Sequence, residues 1–543
     1  AAARPRPAQS HRSPPSPPSR PVSLLRRASE ALLTDIMGKK LPDKPKQLNV
    51  GLSYHEAMCM HAPPGRATAA DSHIETPERA SLVWAGLHRS SLLDSCAFVP
   101  AREAKRGEAL AVHSEEHCAA LDALRDAPPT FRGAWRGKDA SGFGTAEDNG
   151  RHGWLGRGSD MYHNEHTARA ARLAAGAVLE LTQRVVEGQL GSGFAVVRPP
   201  GHHACSAKMC GFCFLNNIAI AARAAIKRMK VARVLIVDWD VHHGNGTEEI
   251  FCEDPGVLYI SLHRYGSGFF PGTGTAEDVG KGEGEGLSVN VPWRREGMGD
   301  AEYLAAFELI VMPIAREFAP ELVLVSAGFD SAKGDRVGGM ALSAAGYAAM
   351  TAQLCSLANG KVVMALEGGY KPSLAAKGVQ ACVRALLDDP AVHRADHGGD
   401  SVVDAGAGSF SNLPQCAQET MLEVIKAHAR YWPELKHSAE RLVGGHISHR
   451  LEEKLHLDDG IANQRRERTS GPQRAQHQSD LAGVSGEGSQ THTEGHGALQ
   501  QCRQCQKWLS KLHYSQSQLK KKRVGARMCK VCCGEDDLLD VVL

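Results

Sequence analysis

The chain has 543 residues, 42% of them hydrophobic, enough for one large domain with appendages or for about three ordinary domains. Its 63 basic and 61 acidic side chains leave a formal charge of +2, which excludes bulk charge as the means of holding nucleic acid or a membrane. No run approaches 18 apolar residues, so no membrane span and no membrane partner is expected.

Residues 1–45 read as a disordered tail. Ala1 to Arg27 is rich in Pro, Arg, Ser and Ala and has no acid, a composition shared with organelle transit peptides. A plain tail, or a start misplaced ahead of Met37, fits equally well, so import into an organelle stays open beside nucleus and cytoplasm. Gly133 to Gly158 is glycine-rich without a period and predicts a long surface loop. From about 190 to 390, short apolar runs alternate with helical patterns. Phe194–Val197, Val234–Val237, Val257–Ile260, Leu322–Val325 and Val362–Leu366 predict strands. Leu215–Lys230, Tyr303–Phe318, Ala344–Ala358, Leu374–Leu387 and Met421–Leu435 predict helices. Continuous apolar strands between helices predict an α/β fold, a parallel sheet flanked by helices on both faces. Residues 438–500, rich in Gly, Ser, Gln, His and charge, predict a disordered linker.

Polar groups collect where these strands end. The first run leads into Arg198-Pro199-Pro200-Gly201-His202-His203, the second into Asp238-Trp239-Asp240-Val241-His242-His243-Gly244. Leu322–Val325 leads into Ser326-Ala327-Gly328-Phe329-Asp330, and Val362–Leu366 into Glu367-Gly368-Gly369-Tyr370. Ligands of open parallel sheets bind beyond the carboxyl ends of the strands. Taken singly, each piece has an ordinary explanation. His is 26 of 543 residues, so an adjacent pair is near chance, and an Asp after a strand is as often a helix cap. Asp238-x-Asp240-x-His242 is harder to dismiss, because alternate residues of an extended segment share a face. Three such groups stay unsatisfied unless a cation joins them, and mixed carboxylate and imidazole suits zinc. Asp330 is the natural third ligand.

These motifs resemble the class II histone deacetylases of the arginase–deacetylase fold. The likeness also rests on Gly211-Phe212-Cys213-Phe214-Leu215-Asn216-Asn217, Gly244-Asn245-Gly246-Thr247, Ser261-Leu262-His263-Arg264-Tyr265, Phe269-Phe270-Pro271-Gly272-Thr273-Gly274 and His73-Ile74-Glu75-Thr76-Pro77-Glu78-Arg79. It covers residues 46–437. It implies a zinc-dependent hydrolase that removes acetyl groups from lysines of histone tails or other proteins, with co-repressor proteins as further partners. Asp240, His242 and Asp330 would bind the catalytic zinc. His203 would be the general base and acid, His202 its partner bonded to Asp238, and Tyr370 the oxyanion donor. Phe212 and Phe270 would wall the acetyl-lysine tunnel, with the Gly211 carbonyl on the substrate amide. Asp238, Asp240, His242, Ser261 and Leu262 match a structural potassium site, and a second lies near Phe251, Asp254 and Val257. Val337 stands where polyamine-deacetylating relatives carry an acid, which favours protein substrates. Arg336 replaces an expected Pro, and Ala204 to Cys210 departs from the usual acidic loop, so substrate preference is less defined than catalysis.

Ten of the 15 cysteines scatter between Cys59 and Cys416, which suits a reducing compartment. The other five lie within residues 501–536. Cys502-x-x-Cys505 and Cys529-x-x-Cys532 have the spacing of a closed Cys₄ zinc site, with Cys533 as a substitute for Cys532. This module is similar to the small zinc domain of certain heterochromatin adaptors, which implies a protein-interaction role in chromatin. Lys520-Lys521-Lys522-Arg523 suits nuclear import, nucleic-acid contact or a solvated loop. Two alternatives remain at this stage: an acetylpolyamine amidohydrolase on the same scaffold, and a weakly catalytic chromatin adaptor.

Overall fold

The computed structural model describes residues 49–63, 73–126, 130–131, 161–388 and 410–442, with the pairs 500–501 and 508–509. The chain divides into two units, Ala1–Ser470 and Gly471–Leu543. The first holds an eight-stranded sheet in the order β2-β1-β5-β10-β9-β6-β7-β8. Its strands are β1 (Val50–Ser53), β2 (Ala97–Phe98), β5 (Ser192–Ala195), β6 (Val234–Asp238), β7 (Val257–Arg264), β8 (Ser288–Trp293), β9 (Leu322–Ala327) and β10 (Val362–Leu366). Every ladder in it is parallel. A separate antiparallel pair joins β3 (Thr130–Phe131) to β4 (Tyr162–His163).

Period-two alternation divides the strand side chains between two cores. Leu235, Val237, Leu258, Ile260, Val323 and Val325 pack against the helices Ala344–Cys355 and Pro372–Leu386 and their neighbours. Val234, Ile236, Val257, Leu322 and Leu324 face Thr167–Val186 and Asn217–Lys227. All these strand residues are buried, so their sequence is apolar without a polar face. Each contributes about 1.5–3 kcal/mol through burial.

All five predicted strands are present, with ends shifted by a few residues. The helix predicted over Tyr303–Phe318 is interrupted: Asp300–Ala306 passes through a π-turn, Phe307–Val311, into Met312–Phe318. Pro313 has no N–H to donate in a regular helical ladder, and the wider turn absorbs the missing bond. The helix Leu435–Leu442 crosses the expected boundary at 437 and buries Leu435, Ala439 and Leu442. The predicted loop 133–158 lies outside the described residues, as do most of the linker and Cys502, Cys505, Cys529 and Cys532. At the start of that module's range, Gln500–Gln501 pairs antiparallel with Trp508–Leu509.

Candidate active site

Strands β5, β10, β9 and β6 are consecutive neighbours in the sheet. Their carboxyl ends therefore bring together His202 and His203, Tyr370, Asp330, and Asp238 through His242. The metal-type cluster is Asp240, His242 and Asp330, whose donor atoms lie within 4.8 Å of one another, all buried. Extended alternation is not what gathers them. β6 ends at Asp238, and the chain then bends. The Asp240 amide donates to Asp238 Oδ1 (3.1 Å), and the His242 amide to Asp240 Oδ1 (2.9 Å). These short side-chain turns wind the segment so that Asp240 and His242 face Asp330. Asp238 points elsewhere: its Oδ2 meets His202 Nδ1 at 3.0 Å and the Tyr259 hydroxyl at 3.2 Å.

The cluster fits a cation. His242 Nδ1 sits 3.0 Å from Asp240 Oδ1 and 3.2 Å from Asp330 Oδ2. Asp330 Oδ2 is buried and meets no polar hydrogen among the described residues beyond the His242 ring. Burial, with Asp240 alongside, pushes the Asp330 carboxyl up to about 7. Burial opposes a proton on His242, yet the two carboxylates push it up to about 9. A bound dication would replace that proton and relieve the repulsion between the acids. One imidazole and two carboxylates make a mixed three-ligand set of the kind catalytic zinc sites use, with a coordination position left open. Glycine is required alongside. A Cβ on Gly328 would come within 2.1 Å of Asp240 Oδ2, and one on Gly368 within 2.2 Å of Asp330 Oδ2.

The two histidines differ. Burial disfavours charge on His202, but Asp238 and Asp240 outweigh it and push it up to about 10. His203 is held well below the usual histidine range by burial, with His202 and His242 beside it. Its Nδ1 lies 2.8 Å from Asn245 Oδ1, while Asn245 Nδ2 turns to Cys205 Sγ. An amide oxygen accepts, so the neutral ring carries its proton on Nδ1 and keeps a lone pair on Nε2. In the sequence Asn245 stood only as part of the Gly244–Thr247 motif, with no sign of this contact.

Phe212 and Phe270, the residues expected to wall a tunnel, both stand close to this centre. Phe212, Tyr370 and Ile74 form a small apolar cluster with Val337 packed against it. Phe270 stands edge-on to His203 at 4.9 Å, and Phe269 stacks on His242 at 5.0 Å. Gly211 and Phe212 both take positive φ (52° and 68°), and a Cβ on Gly211 would fall 2.4 Å from the His203 ring. Main-chain bonds between Cys210 and Cys213 close this tight turn (2.8 and 3.2 Å) and hold Phe212 in its strained conformation. Ser261 lies opposite Asp238 across the β6–β7 ladder, and Leu262 is fully buried beside it.

A second layer of buried charge holds these loops. Glu75 binds Arg198 through two oxygens (2.7 and 2.8 Å) and Arg79 at 3.0 Å, and accepts from the Tyr162 hydroxyl (2.8 Å). Arg79 donates to the Gly369 carbonyl (3.0 Å) and the Glu367 carbonyl, and its guanidinium lies 5.2 Å over the Tyr370 ring. The Glu367 carboxylate accepts from the amides of Gly201 (2.6 Å) and His202 (3.2 Å). Asp335 accepts from the amides of Val337, Tyr370 and Lys371 at 2.8–3.1 Å. The histidine loop, the tyrosine loop and the Val337 loop are thus tied together through carboxylates.

Fold and site define a parallel α/β protein with a buried Asp-His-Asp metal cluster at the strand ends. The histone deacetylase domain family matches residues 73–386, and the chain belongs to that family. It is 40% identical over 440 residues to histone deacetylase 7 of Homo sapiens, covering 77% of this chain and 43% of the relative. It is 39% identical over 372 residues to histone deacetylase 5 of Arabidopsis thaliana, covering 66% and 53%. The chain thus spans about half the length of these curated relatives. A crystal structure of the HDA15 HD domain superposes with a TM-score of 0.63 at 37% identity, covering 73% of this chain and 99% of that one.

Proposed function

We propose that this chain is a zinc-dependent lysine deacetylase that hydrolyses N6-acetyl-lysine in histones or other proteins and releases acetate. The observation that carries the reading is the buried Asp240-His242-Asp330 cluster beside a neutral His203 and Tyr370. Zinc held by these three residues supplies Lewis-acid polarisation of the acetyl carbonyl and acidifies water. Phe212 and Phe270 take the aliphatic part of the lysine, and the Gly211 carbonyl holds the substrate amide. His203 Nε2 takes the proton from the attacking water and returns it to the departing lysine amine. His202, charged against Asp238, disfavours a second cation until that transfer. The Tyr370 hydroxyl donates to the oxyanion as it forms. Val337 brings no charge to attract a polyamine, so protein substrates are preferred.

Potassium bound by main-chain oxygens around Asp238, Asp240, His242, Ser261 and Leu262 would stiffen the ligand loop. A structural zinc on Cys502, Cys505, Cys529 and Cys532 would fold the C-terminal module for a protein-interaction role in chromatin, with co-repressor proteins among the partners of the whole chain. With acetylated histone tails as substrate, the protein acts as a transcriptional repressor, in the nucleus, the cytoplasm or both. The test is acetate release from an acetyl-lysine histone peptide by the zinc-loaded full chain. Turnover abolished by His203→Ala supports the reading, and unchanged turnover in that variant contradicts it.

A further inference from the structure

The loop that carries Val337 also shapes the outer rim. Asp335 fixes it: Oδ1 accepts from the Val337 amide (3.1 Å), and Oδ2 from Tyr370 (2.8 Å) and Lys371 (2.9 Å). Its carboxylate is turned inward onto these amides. Three basic residues lie close to it along the chain or through this loop: Lys333 and Arg336 within two positions, and Lys371 through its amide. Lys333, Arg336 and Lys371 are all exposed, and none pairs with a carboxylate among the described residues. Lys371 Nζ approaches the same loop, lying 4.0 Å from where a Gly334 Cβ would stand. Glu296, the acid beside Gly339, is already engaged by Arg264 at 2.6 Å. Arg336 is the chain neighbour of Val337, which packs on Phe212 and Tyr370 at the tunnel. The loop next to the acetyl-lysine channel therefore carries three exposed basic residues against the one inward-turned carboxylate of Asp335, although the whole chain is nearly neutral.

We propose that Arg336, with Lys333 and Lys371, is a specificity element selecting acetyl-lysines flanked by an anionic side chain, a carboxylate or a phosphate. This rests on the deacetylase reading and adds its substrate class. A residue spans at most about 3.6 Å of extended chain, so an arginine at the rim reaches side chains about one or two positions from the acetyl-lysine. A planar guanidinium pairs bidentately with either anion. Basic flanks, such as those of an unmodified histone tail, would be disfavoured by the same charge.

The test is kcat/KM of the zinc-loaded full chain on four peptides that differ only beside the acetyl-lysine: Asp/Glu, phosphoserine, Gly/Ala or Arg. Exposed ion pairs are weak, so the expected preference for either anionic peptide over the neutral one is about three- to fivefold. It should shrink as salt is raised. Arg336→Glu should reverse the order between acidic and basic peptides, and Arg336→Ala with Lys371→Ala should flatten it. Neither should change turnover of the neutral peptide. Equal kcat/KM across the four peptides, or an anionic preference that survives Arg336→Glu, would overturn the proposal while leaving the deacetylase reading intact. No acetate from any peptide, the neutral one included, would overturn both.

Discussion

His203 and Asn245 share one hydrogen bond, and its direction decides what the histidine can do. With the Asn245 oxygen accepting at 2.8 Å, Nε2 is left free to take a proton. Tyr370 has a complementary task. Burial, with Asp330 nearby, raises its phenol well above the usual tyrosine range, so it stays protonated as a donor. Tyr370→Phe should therefore cost about 10²–10³ in kcat while zinc content stays the same, measured by metal analysis alongside initial rates. Near wild-type turnover would remove Tyr370 from the mechanism. Gly368→Ala probes the other side of the centre. Its methyl would press on Asp330 Oδ2 and Asp240 Oδ2 at 2.2 and 2.4 Å, so zinc affinity should fall sharply, read by titration against a chromogenic chelator.

At the level of elements, the Glu75 cluster joins a loop, the helix Glu78–Arg89 and the segment after β5. Burial alone would raise the Glu75 carboxyl, but Arg198 and Arg79 outweigh it and hold it at about 2. A free glutamate titrates near about 4.3, so the folded value is the lower one. The stabilisation is fully present above the free value of about 4.3. It drains away as pH falls from about 4.3 towards about 2, because the unfolded chain then binds the proton first. Urea unfolding should show this acid loss in the wild type and a flatter profile in Glu75→Gln. That variant should also lose about 3–5 kcal/mol at pH 7, since it leaves two buried guanidiniums poorly compensated. The sequence could not disclose this cluster. Glu75 and Arg79 are spaced as a helix pair, but Arg198 lies 123 residues away and nothing local marks the contact. The five central strands were readable because burial on both faces gives each, or its immediate continuation, a short continuous apolar run. β8 was not, since Ser288, Asn290 and Pro292 interrupt the pattern. Pro292 is tolerated because β8 is an edge strand, and Asn290 because its amide donates to Glu248 (2.6 Å). Asp240, His242 and Asp330 were readable by residue type, whereas the turns that converge them appear only in three dimensions.

At the level of the molecule, a parallel sheet explains why residues from positions 198 to 370 meet: all eight strands run the same way, so chemistry placed after each one reaches a common rim. The C-terminal cysteines fall in the sequence range of the other unit, Gly471–Leu543, so the zinc site proposed there should respond independently of the Asp240 site. Cys502→Ser should reduce bound zinc from about two per chain to about one without altering peptide turnover; a parallel loss of turnover would tie the module to catalysis. The most direct test of the central claim compares zinc-loaded full chain with its Asp240→Asn variant on an acetyl-lysine histone peptide and on acetylspermidine. The account predicts peptide turnover that vanishes in the variant, with little activity on the polyamine. Turnover of acetylspermidine alone, or zinc bound at the Asp240 site with neither substrate consumed, would contradict it.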